Sequence, residues 1–269
     1  MRTFLHILFC ALLISLSACN RATFEERVAD AEARLGAGDA RAALSDYRSI
    51  AEKFRDDPRR AGILLRVADL YSTALDDTPS AILAYGEAIK AKPLSQAAQV
   101  AHERRAELLE AKGDYEGAIA DYSTLLKHFG FGVDAYRYRV LLAGAYISGR
   151  NYRQARVEIK QLVEGKDIPD DVREQALFLA AESFFIEGNT ERAAEYYQWF
   201  LRDFPKSTLA PEVKLHMATC LEEMGYMGMA RDLTRSARSE YANEKVVDAR
   251  LKSIEDRGGT EQSSKPKKK

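Results

Sequence analysis

Apolar and small residues recur along this chain with two nested periods. The short period is helical. Leu177, Ala180, Ala181 and Phe184, then Ala193, Tyr197 and Phe200, fall one turn apart on single stripes, with charged residues between them. The long period is set by alanines. Ala43, Ala81, Ala118, Ala155, Ala193 and Ala230 are separated by 38, 37, 37, 38 and 37 residues. A second column, Ala31, Ala68, Ala106, Ala143, Ala181 and Ala218, precedes the first by twelve residues, or thirteen in the second pair. Two antiparallel helices approach to about 8–10 Å only where the crossing side chains are small. The pattern therefore predicts an all-α solenoid of six helix-turn-helix units over residues 24–241.

Turn chemistry agrees with that period. In Glu187-Gly188-Asn189-Thr190, Gly188 suits the left-handed conformation that ends a helix, and Asn189 or Thr190 can accept backbone N–H groups of the next one. Pro205 then closes the unit. Ala111-Lys112-Gly113-Asp114-Tyr115 and Ser148-Gly149-Arg150-Asn151-Tyr152 carry the same punctuation. Beyond it, Val246, Val247, Ala249, Leu251 and Ile254 predict a capping helix over 242–257. Residues 258–269 read as a disordered basic tail ending in Lys265-Pro266-Lys267-Lys268-Lys269.

With these residues in view, the chain resembles the tetratricopeptide repeat family. The stretch Ala106-Glu107-Leu108-Leu109-Glu110-Ala111-Lys112-Gly113-Asp114-Tyr115-Glu116-Gly117-Ala118-Ile119 follows the family pattern almost position by position. Three features depart from it: a spacing above the usual 34, Asp30 and Arg34 at positions expected to be apolar, and a second turn at 75–80 that is one residue longer. The resemblance implies that the first helix of each unit lines a concave surface on which partner segments lie. The inward candidates are then Arg137, Val140 and Ile147 in the fourth unit, Phe178, Glu182 and Phe185 in the fifth, and Leu215, Thr219 and Glu222 in the sixth. Phe178 and Phe185 fit equally well as packing between adjacent helices. Trp199, the one tryptophan, sits about 100° of helical rotation from the inward stripe, either as a binding anchor or as a cover for its neighbours. Phe129-Gly130-Phe131-Gly132 reads as a loop that inserts into another molecule or folds back to plug the next unit.

The start of the chain carries an independent signal. Arg2 precedes an apolar run at 4–16, interrupted only by His6 and Ser15 and too short to span a bilayer, which predicts an export signal over 1–18. Leu16-Ser17-Ala18-Cys19 resembles the lipobox of bacterial lipoproteins. That resemblance implies acylation of Cys19, with palmitate-type chains and a linker over 19–23. Several chains anchor stably where one binds only marginally. Asn20, rather than aspartate, implies delivery to the periplasmic face of the outer membrane. The alternative is an ordinary secretory signal with a coincidental cysteine. Cys10 leaves with the signal, so Cys220 is the remaining thiol, expected as a small buried apolar group.

Charge narrows the partners. Without Arg2 the chain carries 39 basic against 41 acidic residues, which argues against nucleic acid. His102, His128 and His216 are far apart in sequence, with no metal-ligand spacing, no phosphate loop and no nucleophile elbow. Carboxylate pairs such as Asp56-Asp57, Asp76-Asp77 and Glu222-Glu223 suit helix starts and solvated faces. The expectation is a non-enzymatic protein without cofactor, metal or small-molecule substrate. In organisation it resembles BamD-type lipoproteins of the β-barrel assembly complex, implying a lipid-anchored adaptor that binds envelope proteins. The alternatives are a pilotin for secretin or pilus assembly, and a CpoB-type accessory of cell-wall synthesis and division.

Overall fold

A computed structural model describes residues 23–241 and 243–263. Those residues form thirteen α-helices and one π-helical turn, with no strand among them, in the expected all-α solenoid of helical hairpins. The chain divides into two compact units, one ending at Leu108 and one beginning at Leu109. The first contains α1 (Phe24–Gly36), α2 (Ala40–Lys53), α3 (Arg60–Asp69) with its π turn (Leu70–Ala74), and α4 (Thr78–Ala91). Helix α5 (Gln96–Ala111) begins in the first unit and ends in the second. The second continues with α6 (Tyr115–Phe129), α7 (Val133–Ser148), α8 (Tyr152–Val163), α9 (Asp170–Glu187), α10 (Thr190–Asp203), α11 (Ala210–Glu223), α12 (Met227–Ala237) and α13 (Glu244–Ser263).

All twelve column alanines have zero solvent exposure. The period is therefore a packing period: each alanine sits where a neighbouring helix leaves no room for a larger side chain. Four residues beyond the second-helix alanine comes a buried side chain: a tyrosine in four units (Tyr47, Tyr85, Tyr122 and Tyr197), Ile159 in the fourth and the smaller Thr234 in the sixth. Among the charged departures of the first unit, Arg34 is accounted for by an ion pair, its Nε lying 3.0 Å from Asp46.

The turns repeat at the level of single hydrogen bonds. Gly38, Gly113, Gly188 and Gly225 take φ of +84°, +78°, +83° and +84°. The next residue's N–H reaches back five positions, as in Asp114 to the Leu109 carbonyl (2.8 Å) and Asn189 to that of Phe184 (2.9 Å). Asp39, Asp114 and Asn189 then accept the N–H three residues on. Two turns differ from expectation. In the fourth, Gly149 keeps φ −78° and Arg150 takes the left-handed position at +59°. Gly149 is needed for space instead, since a Cβ there would lie 3.2 Å from Tyr115 Cβ. In the second, the extra residue is absorbed within the helix by the π turn, so Asp77 N–H reaches six positions back to Tyr71 (2.8 Å).

Thr23 and Glu26 close a reciprocal capping box at the start of α1, with bonds of 2.8 and 3.2 Å. At the other end α13 runs through Gly258 and Gly259 to Ser263, which corrects the expected start of the tail at 258. Each glycine costs a helix about 1 kcal/mol relative to alanine but does not terminate it by itself. Val247 and Ile254 of α13 are buried. The signal segment, Cys19 and residues 264–269 lie outside the described residues. No described helix is long and apolar enough to cross a membrane.

Candidate interaction surface on the first helices

Helix α9 carries Phe178, Glu182 and Phe185 at i, i+4 and i+7, one face of the helix. Glu182 follows the column alanine Ala181, so the helix crossing that buries Ala181 fixes where the carboxylate emerges. Its Oε1 accepts the hydroxyl of Tyr197 and lies 2.7 Å from His216 Nδ1. Tyr197 is the buried tyrosine of α10, and His216 precedes column alanine Ala218 by two positions on α11. Phe185 stacks on the His216 ring at 5.4 Å and 10°, and meets Tyr197 edge-on at 6.3 Å. Phe178 packs edge-on against Phe200 at 6.4 Å. All three α9 residues are half-buried.

The electrostatics follow from these contacts. The hydrogen bond to Glu182 raises the His216 pKa above that of a free imidazole, against the opposing effect of burial. For Glu182, burial is the largest single influence and pushes its pKa up. The bonds from His216 and Tyr197 together outweigh it and leave the carboxyl below its ordinary value. Burial, then Glu182, raises the Tyr197 phenol. Burial likewise pushes the Cys220 thiol up to about 12, an unreactive apolar filler.

The first unit repeats the arrangement. Asp69 follows Ala68 by one residue, Tyr85 lies four past Ala81, and Arg104 lies two before Ala106. Tyr85 donates to Asp69 Oδ1 at 2.9 Å, and Arg104 donates to the same oxygen. Carboxylate, tyrosine and cation thus occupy the same repeat positions in both units. The cation is a permanently charged arginine in one and a titratable histidine in the other.

The remaining candidates are dispersed. Arg137 is exposed, with its guanidinium 4.6 Å over the Tyr138 ring. Val140 and Ile147 pack partly into the core of the second unit. Leu215 is 5% exposed and packs against Ala237 and Val247. Glu222 is buried and paired with Arg250 (2.8 Å) and Arg257, and Arg250 also donates to Thr219. Helix α13 therefore covers the sixth-unit stretch, which corrects its expected role as partner surface: the open end of the stack needs those side chains for its own cap. Trp199 donates to Asp203 at 2.7 Å, stacks on Tyr196 at 6.0 Å and is half-buried. In the α6–α7 loop Phe129 is half-buried, while Phe131 and Val133 stand exposed. The sequence reading missed His216 and Tyr197. Their signal was register, His216 standing at the position Arg104 holds. Among the described residues no three His, Cys, Asp or Glu groups come together as a metal site.

A family model described as tetratricopeptide repeat matches residues 175–207, most of the α9–α10 hairpin and the loop after it. Three solved structures share the fold. The C-terminal part of a repeat-containing protein from Cytophaga hutchinsonii aligns over 88% of this chain and 92% of its own, at 14% identity and TM-score 0.64. YrrB, described as a tetratricopeptide protein with an unusual peptide-binding site, aligns over 77% and 97%, at 14% identity and TM-score 0.54. PilW, a type IV pilus biogenesis factor, aligns over 87% and 99%, at 13% identity and TM-score 0.54. No curated protein sequence matches the chain.

Proposed function

We propose that this chain, a helical-repeat protein of the tetratricopeptide fold, is a lipid-anchored adaptor of the bacterial envelope that holds partner proteins on the first-helix face of its fourth and fifth hairpins. Binding of partner proteins is what this fold commonly does. The observation that carries the assignment to this face is the Phe178, Glu182 and Phe185 stripe: two half-buried aromatic rings flank a carboxylate, the mixture of apolar anchors and polar register that peptide recognition uses. The lipobox resemblance at Cys19 supports an anchor, and the Asn20 that follows it supports the periplasmic face of the outer membrane.

Within this class we favour an outer-membrane assembly complex of the BamD type, on the shared organisation of lipobox and repeats. A pilotin role is the second reading, supported by the likeness to PilW. A photo-crosslinking amino acid at Phe178 or Phe185, followed by identification of adducts from intact envelopes, tests both. Barrel-assembly subunits select the first reading, and a secretin or pilus component the second. Adducts confined to solvent or lipid overturn the adaptor assignment.

A further inference from the structure

Glu182 carries its hydrogen bonds on one carboxylate oxygen. Both of its donors, the Tyr197 hydroxyl and His216 Nδ1, converge on Oε1, so Oε2 keeps its lone pairs for an incoming donor. The surrounding charges leave a surplus of negative ones. Glu212 acts on His216 alongside Glu182, while Arg250, the nearby cation of α13, is held by Thr219 and Glu222. Cys220 and Tyr197, the other titratable neighbours, are neutral at ordinary pH because burial raises both.

From this geometry we infer that the Phe178, Glu182 and Phe185 stripe receives a basic side chain of the partner segment, arginine in preference to lysine, in competition with His216. The inference rests on the reading of this face as the partner site. Aromatic faces attract cations, and a planar guanidinium can both stack on a ring and bridge to a carboxylate. When His216 is protonated it neutralises Glu182, and when it is neutral the carboxylate charge is open to the incoming cation. Partner capture therefore strengthens as pH rises. The Asp69 copy in the first unit is paired instead with Arg104, whose guanidinium carries a permanent charge and does not switch in the histidine range.

A randomised decapeptide library selected on the full chain in detergent, at about pH 5.5 and about pH 8 on either side of the histidine range, tests this. Captured peptides should be enriched in arginine at one position, with affinity about five-fold higher at the upper pH, the scale of a partly exposed ion pair. Glu182→Gln should lose the basic preference, Glu182→Asp should keep it, and His216→Gln should abolish the pH difference. Melting curves establish that each variant is folded. Capture without basic preference, or with the same preference in Glu182→Gln, sinks the cation assignment and leaves the adaptor reading standing. No enrichment of any peptide at either pH sinks both.

Discussion

The imidazole of His216 lies parallel to the ring of Phe185, 5.4 Å away and 10° from coplanar, while its Nδ1 is 2.7 Å from Glu182. One histidine thus joins the first helices of the fifth and sixth hairpins by stacking on an aromatic and pairing with an acid one turn apart on α9. Its protonation affects how firmly the two hairpins hold together.

The sign of that effect is fixed by the shifts. The folded-state pKa of His216 is raised, so its stabilisation is complete below the unfolded value of about 6.5 and is lost as pH climbs through the folded value. Glu182 is lowered, so its share is present above about 4.3 and is lost on acidification through its folded value. The pair contributes most between those limits. We expect His216→Gln to lower the melting temperature by about 2–4 °C near pH 5.5, the shift that roughly 1 kcal/mol produces in a domain of this size. The deficit should shrink at about pH 9, above the histidine range. A deficit that is equal at both pH values, measured by circular dichroism, removes the ionic contribution.

Arg150 supplies a prediction of opposite sign. It holds φ +59° where four other turns place a glycine. An L-residue in that conformation costs about 1–2 kcal/mol. Arg150→Gly should therefore raise stability by about 0.5–1 kcal/mol, net of the glycine's greater unfolded-state entropy. Urea denaturation measures it, and a lower midpoint in the variant refutes it.

The column alanines predict a contrast between two substitutions of identical chemistry. Ala181→Leu, at zero exposure on α9, should cost about 1–3 kcal/mol through overpacking. Ala120→Leu, on the exposed face of α6, should stay within about 0.5 kcal/mol. Thermal melts of the two variants side by side decide it. Equal effects would mean that the alanine period is not a packing period.

The anchor has its own test. Cys19→Ser should move the protein from the membrane to the soluble fraction while its helical spectrum is unchanged, because acyl chains on that sulfur provide the proposed attachment. Retention of the folded variant in the membrane fraction would show that something else holds it there.

Much of the fold was legible because steric exclusion leaves a mark in sequence. A site that tolerates only alanine shows alanine, and the spacing of Ala31 to Ala230 marked the helices and the crossings within each unit. Turn glycines were legible for the same reason, except where Arg150 bears the strain and Gly149 serves another need. The π turn was not legible. One extra residue between Ala68 and Ala81 fits a longer loop or a helical bulge equally well, and only the backbone hydrogen bonds of Tyr71 and Asp77 distinguish them. The candidate site was half legible. Phe178, Glu182 and Phe185 share a helix and follow from its period. His216 and Tyr197 come from other hairpins, where their meeting with Glu182 depends on the packing of one hairpin on the next. Leu215 looked available because the cap that covers it lies more than thirty residues further on.

That cap also limits the length of what can be recognised. With Glu222 clasped by Arg250 and Arg257, the proposed partner track, from α7 across α9, would stop at His216 on the edge of α11. Neighbouring helices at about 10 Å spacing make two steps, some 20 Å in all. An extended strand covers about 3.3 Å per residue, so under the proposed adaptor reading the partner would contribute a short linear motif of about six residues, with specificity concentrated in a few side chains.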